Sequence, residues 1–362
     1  MAGIAIGNWR RARTFSYVRR VTHYLPSLSR GFSLGRFQAP DGSSFTGLAV
    51  GRRVRPLDSG RASRDPVQLL TSWATSRDEL SELADATGGL WYDAADLLPL
   101  APLEPGQILQ AGANYRKHVV DIVISELDDD NQGRTPAEKR AYAETMMDTR
   151  AATGDPYVFF GAPSAVCGPL DNIVLPVRPG AKHDWELELA VVIGRAGHRI
   201  ARDQALRHVA GYAIVNDITS RDLVYRTDLP KLGTDWLAAK NSPTFLPTGP
   251  VIVPAEFVDD PMDLRVTLRH NGTVRQDEST ADMIFDIARI IEYTSQRVAL
   301  RPGDLILTGS PAGNGAAWGV FLHDGDVIES EITGLGRQRN RCVDEPPPAA
   351  ESAATIAELS RS

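Results

Sequence analysis

The 362-residue sequence has few residues that could cross-link its chain, and it has no long apolar segment. Its two cysteines, Cys167 and Cys342, are too few for a disulfide framework. With few histidines near them, they do not indicate a Cys/His zinc site either. No apolar run approaches the roughly 20 residues of a membrane-spanning helix. We therefore expect a protein without a membrane partner that folds in a reducing compartment such as the cytoplasm.

Acidic residues are missing from the first 40 positions, which carry seven arginines. The rest of the chain holds all 46 acidic residues, and the formal net charge is −7. So acidic a body argues against a nucleic-acid partner. The Arg- and Ser-rich beginning is typical of a transit peptide, but it lacks the apolar stretch of a secretory signal. We expect residues 1–36 to be a basic, disordered extension that adds nothing to the fold.

The next segment predicts a small N-terminal domain over residues 37–104. Short β segments open it, and apolar residues at helical spacing predict a helix over 66–88. Three prolines then mark a linker. At the other end of the chain, the proline-rich residues 344–362 predict a disordered tail.

Residues 105–343 read as the main domain, with many short apolar runs between turn residues. The chain has 31 glycines and 24 prolines, which suits a turn-rich β protein. Only two segments of this domain predict helices, 279–297 and 136–152, and the second begins with a capping box at Thr135. So many strands with so few helices indicate a β-rich α+β fold.

Three acidic residues alternate along one segment of this domain. In a strand, alternate side chains share a face, so Asp184, Glu186 and Glu188 lie opposite Trp185. Neighbouring carboxylates repel each other, and burying them without partners is costly. The face is therefore either solvated, as on an edge strand, or neutralised by a hard divalent cation that prefers oxygen ligands.

Asp217 is a candidate third ligand because it ends another apolar run, where its carboxylate can project into a cleft. An aspartate in this setting is also typical of a turn or a helix N-cap. Spacing alone leaves both interpretations open.

Eight sequence blocks within residues 105–343 resemble, in the same order, those of the fumarylacetoacetate hydrolase family. This family includes acylpyruvate hydrolases and 2-oxo-acid hydratases, isomerases and decarboxylases. The blocks are Gly-Ala-Asn-Tyr-Arg-Lys-His at 112–118, the acidic segment 184–194, Gly211-Tyr212 through Asp217 to Arg221-Asp222, Pro-Thr-Gly-Pro at 247–250, Asn271-Gly272 with Gln276, Asp-Met-Ile-Phe-Asp at 282–286, residues 302–313 with Thr-Gly-Ser-Pro, and Gly325 to Gly336. Any one block is weakly specific, but the ordered set is strong.

The resemblance implies a mixed β-sandwich roll with a small N-terminal β-containing domain, assembled as a homodimer. It implies that Glu186, Glu188 and Asp217 bind one Mg²⁺ or Mn²⁺. The ion would chelate the oxygens of a small-molecule oxo acid or diketone and act as a Lewis acid.

The resemblance also implies a general base, His118, which pairs with an acid three residues later in a short lid helix. That acid is Asp121 here, where glutamate is usual. Positions i and i+3 share a helix face, so the carboxylate can orient the imidazole and raise its basicity. The lid itself is long and is expected to cover residues 119–155.

Four further residues match family positions that hold the substrate: Tyr115, Arg221, Lys240 and Ser310. Two departures make the pocket less polar. Gly161 stands where several small-substrate members have lysine, and Val224 stands where they have glutamine. Together with the long lid, they indicate a substrate larger or less acidic than an acylpyruvate.

The expected activity is metal-dependent hydrolysis of a carbon–carbon bond in a β-diketone or 2,4-dioxo acid by a His-activated water. The alternative is a 2-oxo-acid hydratase, decarboxylase or isomerase that uses the same metal–enolate chemistry. A non-catalytic binding module is disfavoured, because the three acids and His118 are all present.

Overall fold

The computed structural model describes residues 23–57, 66–129 and 133–347, and the fold in them is rich in strands. Three larger sheets and two two-stranded pairs account for these strands, which confirms the β-rich α+β class. The strands are β1 (Ser33–Gln38), β2 (Ser44–Val50), β3 (Arg53–Pro56), β4 (Tyr92–Asp93), β5 (Leu98–Leu100), β6 (Ile108–Gly112), β7 (Tyr157–Gly161), β8 (Val166–Cys167), β9 (Ile173–Leu175), β10 (His183–Asp184), β11 (Leu187–Ile193), β12 (Val209–Asn216), β13 (Thr219–Ser220), β14 (Leu246–Pro247), β15 (Val253–Pro254), β16 (Arg265–His270), β17 (Thr273–Ser279), β18 (Leu305–Leu307), β19 (Val327–Ile332) and β20 (Gly336–Asp344).

The helices of the described residues are mostly short. They are α1 (Pro66–Thr71), α2 (Trp73–Asp85), α3 (Arg116–Asp129), α4 (Pro136–Thr153), α5 (Trp236–Lys240), α6 (Ile287–Ser295) and α7 (Gly315–Trp318). None of them combines the length and the hydropathy that crossing a membrane requires.

A six-stranded sheet with the order β15-β12-β11-β18-β6-β7 forms the centre of the fold. Strand β6 runs parallel to β18, and the other neighbours are antiparallel. Along β11, Leu189 and Val191 join one large apolar cluster, whereas Ala190 and Val192 join a second cluster on the opposite face. Both faces of the sheet are therefore covered, as the period of two in a strand allows.

Two five-stranded sheets pack around this centre, with the orders β4-β3-β2-β1-β5 and β17-β16-β19-β20-β9. The large cluster contains Phe37 from the first, Val191 from the central sheet and Ile328 from the second. The other face of the first sheet packs Leu48 against Leu80 of α2. The small N-terminal part therefore shares one core with the rest of the chain and has a second, smaller one under its helices.

The predicted boundary at residue 36 is wrong, because earlier residues already belong to the fold. Tyr24 is 2% exposed, and its hydroxyl donates a hydrogen bond of 2.7 Å to a backbone carbonyl. Strand β1 begins at Ser33, and Leu34 exchanges backbone hydrogen bonds of 2.9 and 2.7 Å with Ile252. The arginines of this segment obscured its buried apolar positions. Residues 1–22 and 348–362, which hold the rest of the predicted extension and most of the predicted tail, lie outside the described residues.

The structure confirms one of the predicted helices and shortens another. Helix α4 begins at the predicted capping box, where Thr135 accepts a bond from the Glu138 N–H and Glu138 accepts one from the Thr135 N–H. The helix predicted over 279–297 covers only Ile287–Ser295. Before it, Thr280–Asp282 form a 3-10 helix, and Asn114 then holds the backbone that follows: Phe285 N donates to Asn114 Oδ1 at 2.9 Å.

Candidate active site

The candidate active site lies at one end of the central sheet. Strands β6, β12 and β18 end there, and β7 and β11 begin there, as their parallel and antiparallel pairing dictates. The predicted site residues lie on β11 or in the loops and helices that precede or follow these strands. The topology therefore brings together segments that are far apart in sequence.

Three buried carboxylates meet at this end of the sheet. Glu186 directly precedes β11, Glu188 is its second residue, and Asp217 follows β12. One carboxylate oxygen from each lies within 4.8 Å of the other two. The backbone N–H of Asp217 also donates to the Glu186 carbonyl at 2.8 Å, which fixes the two segments side by side. The three predicted metal ligands are thus within reach of one ion.

The continuous strand predicted for the alternating acids is interrupted. Strand β10 ends at Asp184, and β11 begins three residues later. Between them, the Glu186 N–H donates to the Asn216 side chain at 2.9 Å instead of to a backbone carbonyl of β12. The carboxylates of Glu186 and Glu188 still lie within 4.8 Å of each other. Asp184 does not join them and instead accepts a bond of 2.8 Å from Arg221 Nε.

The loop after β18 holds the Glu188 carboxylate. Gly309 N donates to Glu188 Oε2 at 2.7 Å. Gly309 has a φ of 92°, and a Cβ there would lie 3.0 Å from the Ala111 carbonyl and 3.1 Å from Asn114 Cβ. Both the conformation and the close approach therefore require glycine at this position.

Lys240, at the end of α5, lies among the carboxylates. Its Nζ donates to Glu186 Oε2 at 2.7 Å, to Asp217 Oδ2 at 2.5 Å and to Thr219 Oγ1 at 2.8 Å. The residue is 4% exposed. Three short hydrogen bonds use all the protons of an ammonium group. In this structure, the predicted substrate ligand is a counter-ion of the site itself.

Arg221 has the same role on the other side of Glu186. Its Nη2 lies 2.5 Å from Glu186 Oε1, and its Nε donates to Asp184 Oδ2. Arg221 was also predicted to bind the substrate, but two buried acids hold it here. Buried carboxylates need paired cations, and this is the physical reason why Lys240 and Arg221 both act as counter-ions of the site.

The pKa values of the three acids show that Lys240 and Arg221 supply too little positive charge to keep all three carboxylates ionised. Burial opposes ionisation of Glu186, yet Arg221 and Lys240 outweigh it and lower the pKa of Glu186 to about 2. Burial, reinforced by Asp217 and Glu186, raises the pKa of Glu188 well above its ordinary 4.5. Burial also raises the pKa of Asp217 to about 6, despite the nearby Lys240.

A divalent cation fits this site. With Asp184 counted, four carboxylates face two cations, so two negative charges remain when all the groups are ionised. One divalent ion carries the missing charge. The three converging acids offer only oxygen ligands, which suits Mg²⁺ or Mn²⁺.

His118 lies on α3 beside the acidic site. Burial lowers the pKa of His118 to about 4; the positive charges of Arg221 and Lys240 act in the same direction and Glu186 opposes them. The imidazole is therefore neutral near pH 7. The predicted partner, Asp121, is exposed, and no hydrogen bond or ion pair joins it to His118 among the described contacts. The predicted dyad is not formed in this structure, because the Asp121 side chain stays in solvent.

Two other predicted substrate residues lie deeper. Tyr115 is fully buried, and its hydroxyl lies beside Thr308 without a well-formed hydrogen bond; burial raises its pKa above the ordinary 10. Ser310 Oγ accepts bonds from Gln276 Nε2 at 3.0 Å and Asn314 Nδ2 at 3.2 Å. The Ser310 hydroxyl in turn donates to the Pro311 carbonyl at 3.3 Å, so a ligand oxygen would have to replace this long bond.

An aromatic wall, formed by Tyr157, Phe159 and Trp236, borders the site. Phe159 and Trp236 stack with centroids 4.6 Å apart at 11°, and Trp236 Nε1 donates to the Tyr157 hydroxyl at 2.6 Å. The Trp236 ring lies 5.8 Å from Lys240 Nζ. Tyr157 and Phe159 lie on the same face of β7 as Gly161, which is consistent with the less polar pocket that the sequence predicts.

The predicted lid contains two helices with a small apolar core of their own. Val120 and Val123 of α3 pack with Ala143 and Met147 of α4. Met147 of α4 is buried, but Tyr142 and Met146 on the same helix are 46% and 37% exposed. This exposed side of α4 leaves apolar surface for contact with a ligand or another surface.

We expect residues 119–129 and 133–155 to become more protected from hydrogen exchange when a diketone-type inhibitor binds. A helix pair with its own small core can move as a unit relative to the sheets. Hydrogen exchange with and without inhibitor measures this, with β11 as the internal reference. Equal protection of the helix pair in both states would contradict a lid that closes.

Sequence reasoning missed two residues that bind charged groups of the site. Asp184 was seen in the alternating pattern but not assigned to the site, although it pairs with Arg221. Gln110 Nε2 donates to Asp217 Oδ1 at 3.0 Å. A polar residue in an otherwise apolar strand was the only signal for Gln110, and nothing in its spacing points to Asp217.

Comparison with known proteins identifies the family. The model of the fumarylacetoacetate (FAA) hydrolase C-terminal family matches residues 107–343. The chain therefore belongs to this family of enzymes.

Relatives and solved structures agree with this assignment. The chain is 41% identical to oxaloacetate tautomerase FAHD2A, mitochondrial, of Bos taurus over 191 residues, 52% of this chain and 59% of that relative. It is 41% identical to 2,4-didehydro-3-deoxy-L-rhamnonate hydrolase of Sphingomonas sp. (strain SKA58) over 274 residues, 72% of this chain and 84% of that relative. Among solved structures, maleylpyruvate hydrolase from Sphingobium sp. SYK-6, in complex with manganese (II) ion and pyruvate, matches with a TM-score of 0.66 and 25% identity, over 87% of this chain and 100% of that chain.

Proposed function

We propose that the chain hydrolyses a carbon–carbon bond of a 2,4-dioxo acid or β-diketone, with Mg²⁺ or Mn²⁺ held by Glu186, Glu188 and Asp217. One observation carries the proposal: three buried carboxylates converge with more negative charge than Lys240 and Arg221 neutralise. The manganese in the complex of the maleylpyruvate hydrolase supports the same kind of ion.

The names of two similar proteins support the substrate class. The name of the Sphingomonas relative specifies a sugar acid that is dehydrogenated at carbons 2 and 4. The maleylpyruvate hydrolase is described with pyruvate bound. Hydrolysis of a 2,4-dioxo acid between carbons 3 and 4 releases pyruvate and a second carboxylic acid, so both names fit one reaction.

A divalent ion in the site supplies Lewis-acid polarisation of carbonyl oxygens. The chain's own residues position the ligands of the ion and move the proton between the water and the substrate. His118, with a neutral imidazole, takes a proton from the water that attacks the acyl carbon. The bond to the neighbouring carbon breaks, its electron pair leaves with that carbon, and the imidazolium returns the proton there. Lys240 and Arg221 hold Glu186 in place during these steps.

A tautomerase, hydratase or decarboxylase acting on a 2-oxo acid is the second candidate. The exposed Asp121 favours it, because His118 lacks the carboxylate that would orient it and raise its basicity for attack by water. Moving a proton between carbon and oxygen needs only one well-placed base. The tautomerase relative, 41% identical over 191 residues, supports this alternative.

Incubation in H₂¹⁸O separates the two candidates. The purified protein with Mg²⁺ is given acylpyruvates with short, long and aryl tails, 4-oxalocrotonate-type acids and oxaloacetate. A hydrolase places ¹⁸O in the carboxylate of the released acid, as mass spectrometry shows. Loss of CO₂, net addition of water without cleavage, or loss of enol absorbance at unchanged mass would assign the lyase or isomerase chemistry and contradict the proposal.

The aromatic wall should select substrates with a large apolar tail. We expect Trp236→Ala to lower kcat/KM about tenfold for an aryl-tailed dioxo acid, since one large apolar contact contributes about 1–3 kcal/mol. The short-tailed acylpyruvate should change little, and Trp236→Phe should keep most of the preference. Trp91→Ala is the matched control, because Trp91 packs on Arg53 and Arg55 of the N-terminal sheet. Equal losses for both substrates would show that the wall does not bind the tail.

A further inference from the structure

Gln110 is a buried amide in the middle of β6. It is 3% exposed, and its Nε2 donates to Asp217 Oδ1 at 3.0 Å. Its Oε1 is buried and has no hydrogen-bond partner among the described residues. An amide oxygen buried without a donor destabilises a fold, so packing does not account for a glutamine at this position.

Gly161 on the neighbouring strand β7 leaves the space for this amide. Its backbone is outside the left-handed region, so its conformation does not require glycine. A Cβ at position 161 would lie 2.9 Å from Gln110 Nε2, 3.0 Å from Gln110 Cδ and 3.1 Å from Ile108 Cγ2. Any side chain there would press on the amide that binds Asp217.

We propose that Gln110 is a positioning residue for the metal ligand Asp217, and that Gly161 is a glycine because Gln110 needs its space. Gln110 Nε2 binds Asp217 Oδ1, while Lys240 Nζ binds Asp217 Oδ2 at 2.5 Å, so the carboxylate is held at both oxygens. Gln110 Oε1 remains able to accept a bond from a molecule in the site. The inference rests on the metal site of the proposed function, but not on its substrate or on hydrolysis.

Titration of the metal-free protein with Mn²⁺, followed by electron paramagnetic resonance, tests the proposal without any substrate. Gln110→Met should weaken Mn²⁺ binding 10- to 100-fold, the usual effect of losing a partner of a metal ligand. The matched control is Gln107→Met, which removes a similar amide–carboxylate bond, Gln107 Nε2 to Asp304 Oδ2 at 2.7 Å, three residues away. That variant should keep the wild-type dissociation constant even where its melting temperature falls.

A double-mutant cycle tests the role of Gly161. Gly161→Ala should weaken Mn²⁺ binding about tenfold in the wild-type chain and cause no further loss in a Gln110→Ala background, because no amide is left to displace. Its contact with Ile108 remains in both backgrounds and therefore cancels.

Four results would overturn the inference. Wild-type affinity in Gln110→Met, or equal weakening by Gln107→Met, would remove Gln110 as a positioning residue while leaving the metal site intact. Absence of Mn²⁺ binding by the wild-type chain would overturn the metal site and this inference together. Should Gln110→Met fail to fold, Gly161→Ala decides alone: an unchanged affinity contradicts the proposal, and a loss supports it.

Discussion

Replacing Glu188 with glutamine is expected to lower Mg²⁺-dependent turnover about a thousandfold while the metal-free protein stays folded. Glutamine keeps an oxygen that can accept the 2.7 Å bond from Gly309 N, so the local geometry persists. It removes one of three anionic ligands of the ion. Losing about 4 kcal/mol of Lewis-acid stabilisation lowers kcat about a thousandfold. Activity assays with added Mg²⁺ and Mn²⁺ titration measure the two effects.

The same substitution should stabilise the metal-free protein at neutral pH. Burial, with Asp217 and Glu186, raises the pKa of Glu188 above its ordinary 4.5. A carboxyl group whose pKa is raised by folding contributes stability below the pKa of the unfolded chain and loses it as pH rises through the folded value. In EDTA, the melting temperature of Glu188→Gln should therefore exceed that of the wild type increasingly from about pH 4.5 upward.

Glu331→Gln is the matched control, since it removes one carboxylate from an exposed pair with Arg337 on the neighbouring strand. Exposed pairs contribute about 0–1 kcal/mol, so this variant should keep both activity and its pH dependence of stability. Full activity of Glu188→Gln, or a lower melting temperature than the wild type in EDTA at neutral pH, would contradict the site as described.

The acidic site could be predicted because short sequence patterns identify its carboxylates. Glu186 and Glu188 are two residues apart at the start of an apolar strand, and Asp217 ends the next one. The alternation of side chains along a strand places Glu186 and Glu188 on one side. The resemblance of the ordered sequence blocks to the family identified Asp217 as the third ligand. Residues close in sequence, or at the ends of paired strands, are the ones that a pattern can bring together.

The pairing inside the site could not be predicted, because it depends on burial and on long-range contacts. Lys240 and Arg221 were expected to face a substrate, but the buried acids hold them in the structure. Gly161 was noted for the lysine it lacks, whereas its contact with Gln110 depends on the β6–β7 register. Counter-charge and space are properties of the packed site and not of any one segment.

His118→Ala is expected to lower kcat about 10²- to 10⁴-fold, the usual contribution of a general base. His118 lies close enough to Glu186, Arg221 and Lys240 for their charges to shift its pKa, so it is at the site. Its side chain makes no hydrogen bond in the described structure, and its loss should leave the melting temperature and the Mn²⁺ affinity nearly unchanged. Lys117→Met on the same helix is the control, because that side chain only pairs with Glu278 at the surface.

Asp121→Asn decides how His118 is oriented during the reaction. In the structure Asp121 is exposed and makes no hydrogen bond or ion pair with His118, so this variant should keep kcat within about threefold of the wild type, as an exposed charge with no partner in the site contributes little. A loss as large as that of His118→Ala would show that α3 rearranges over the substrate and that the carboxylate then reaches the imidazole. In that case, closure of α3 would bring Asp121 to His118 and so complete the general base. The hydrolase and the tautomerase candidates would then differ in whether α3 closes fully. A normal kcat in both variants would remove His118 from the chemistry altogether, and the proton would have to pass through another group beside the three acids.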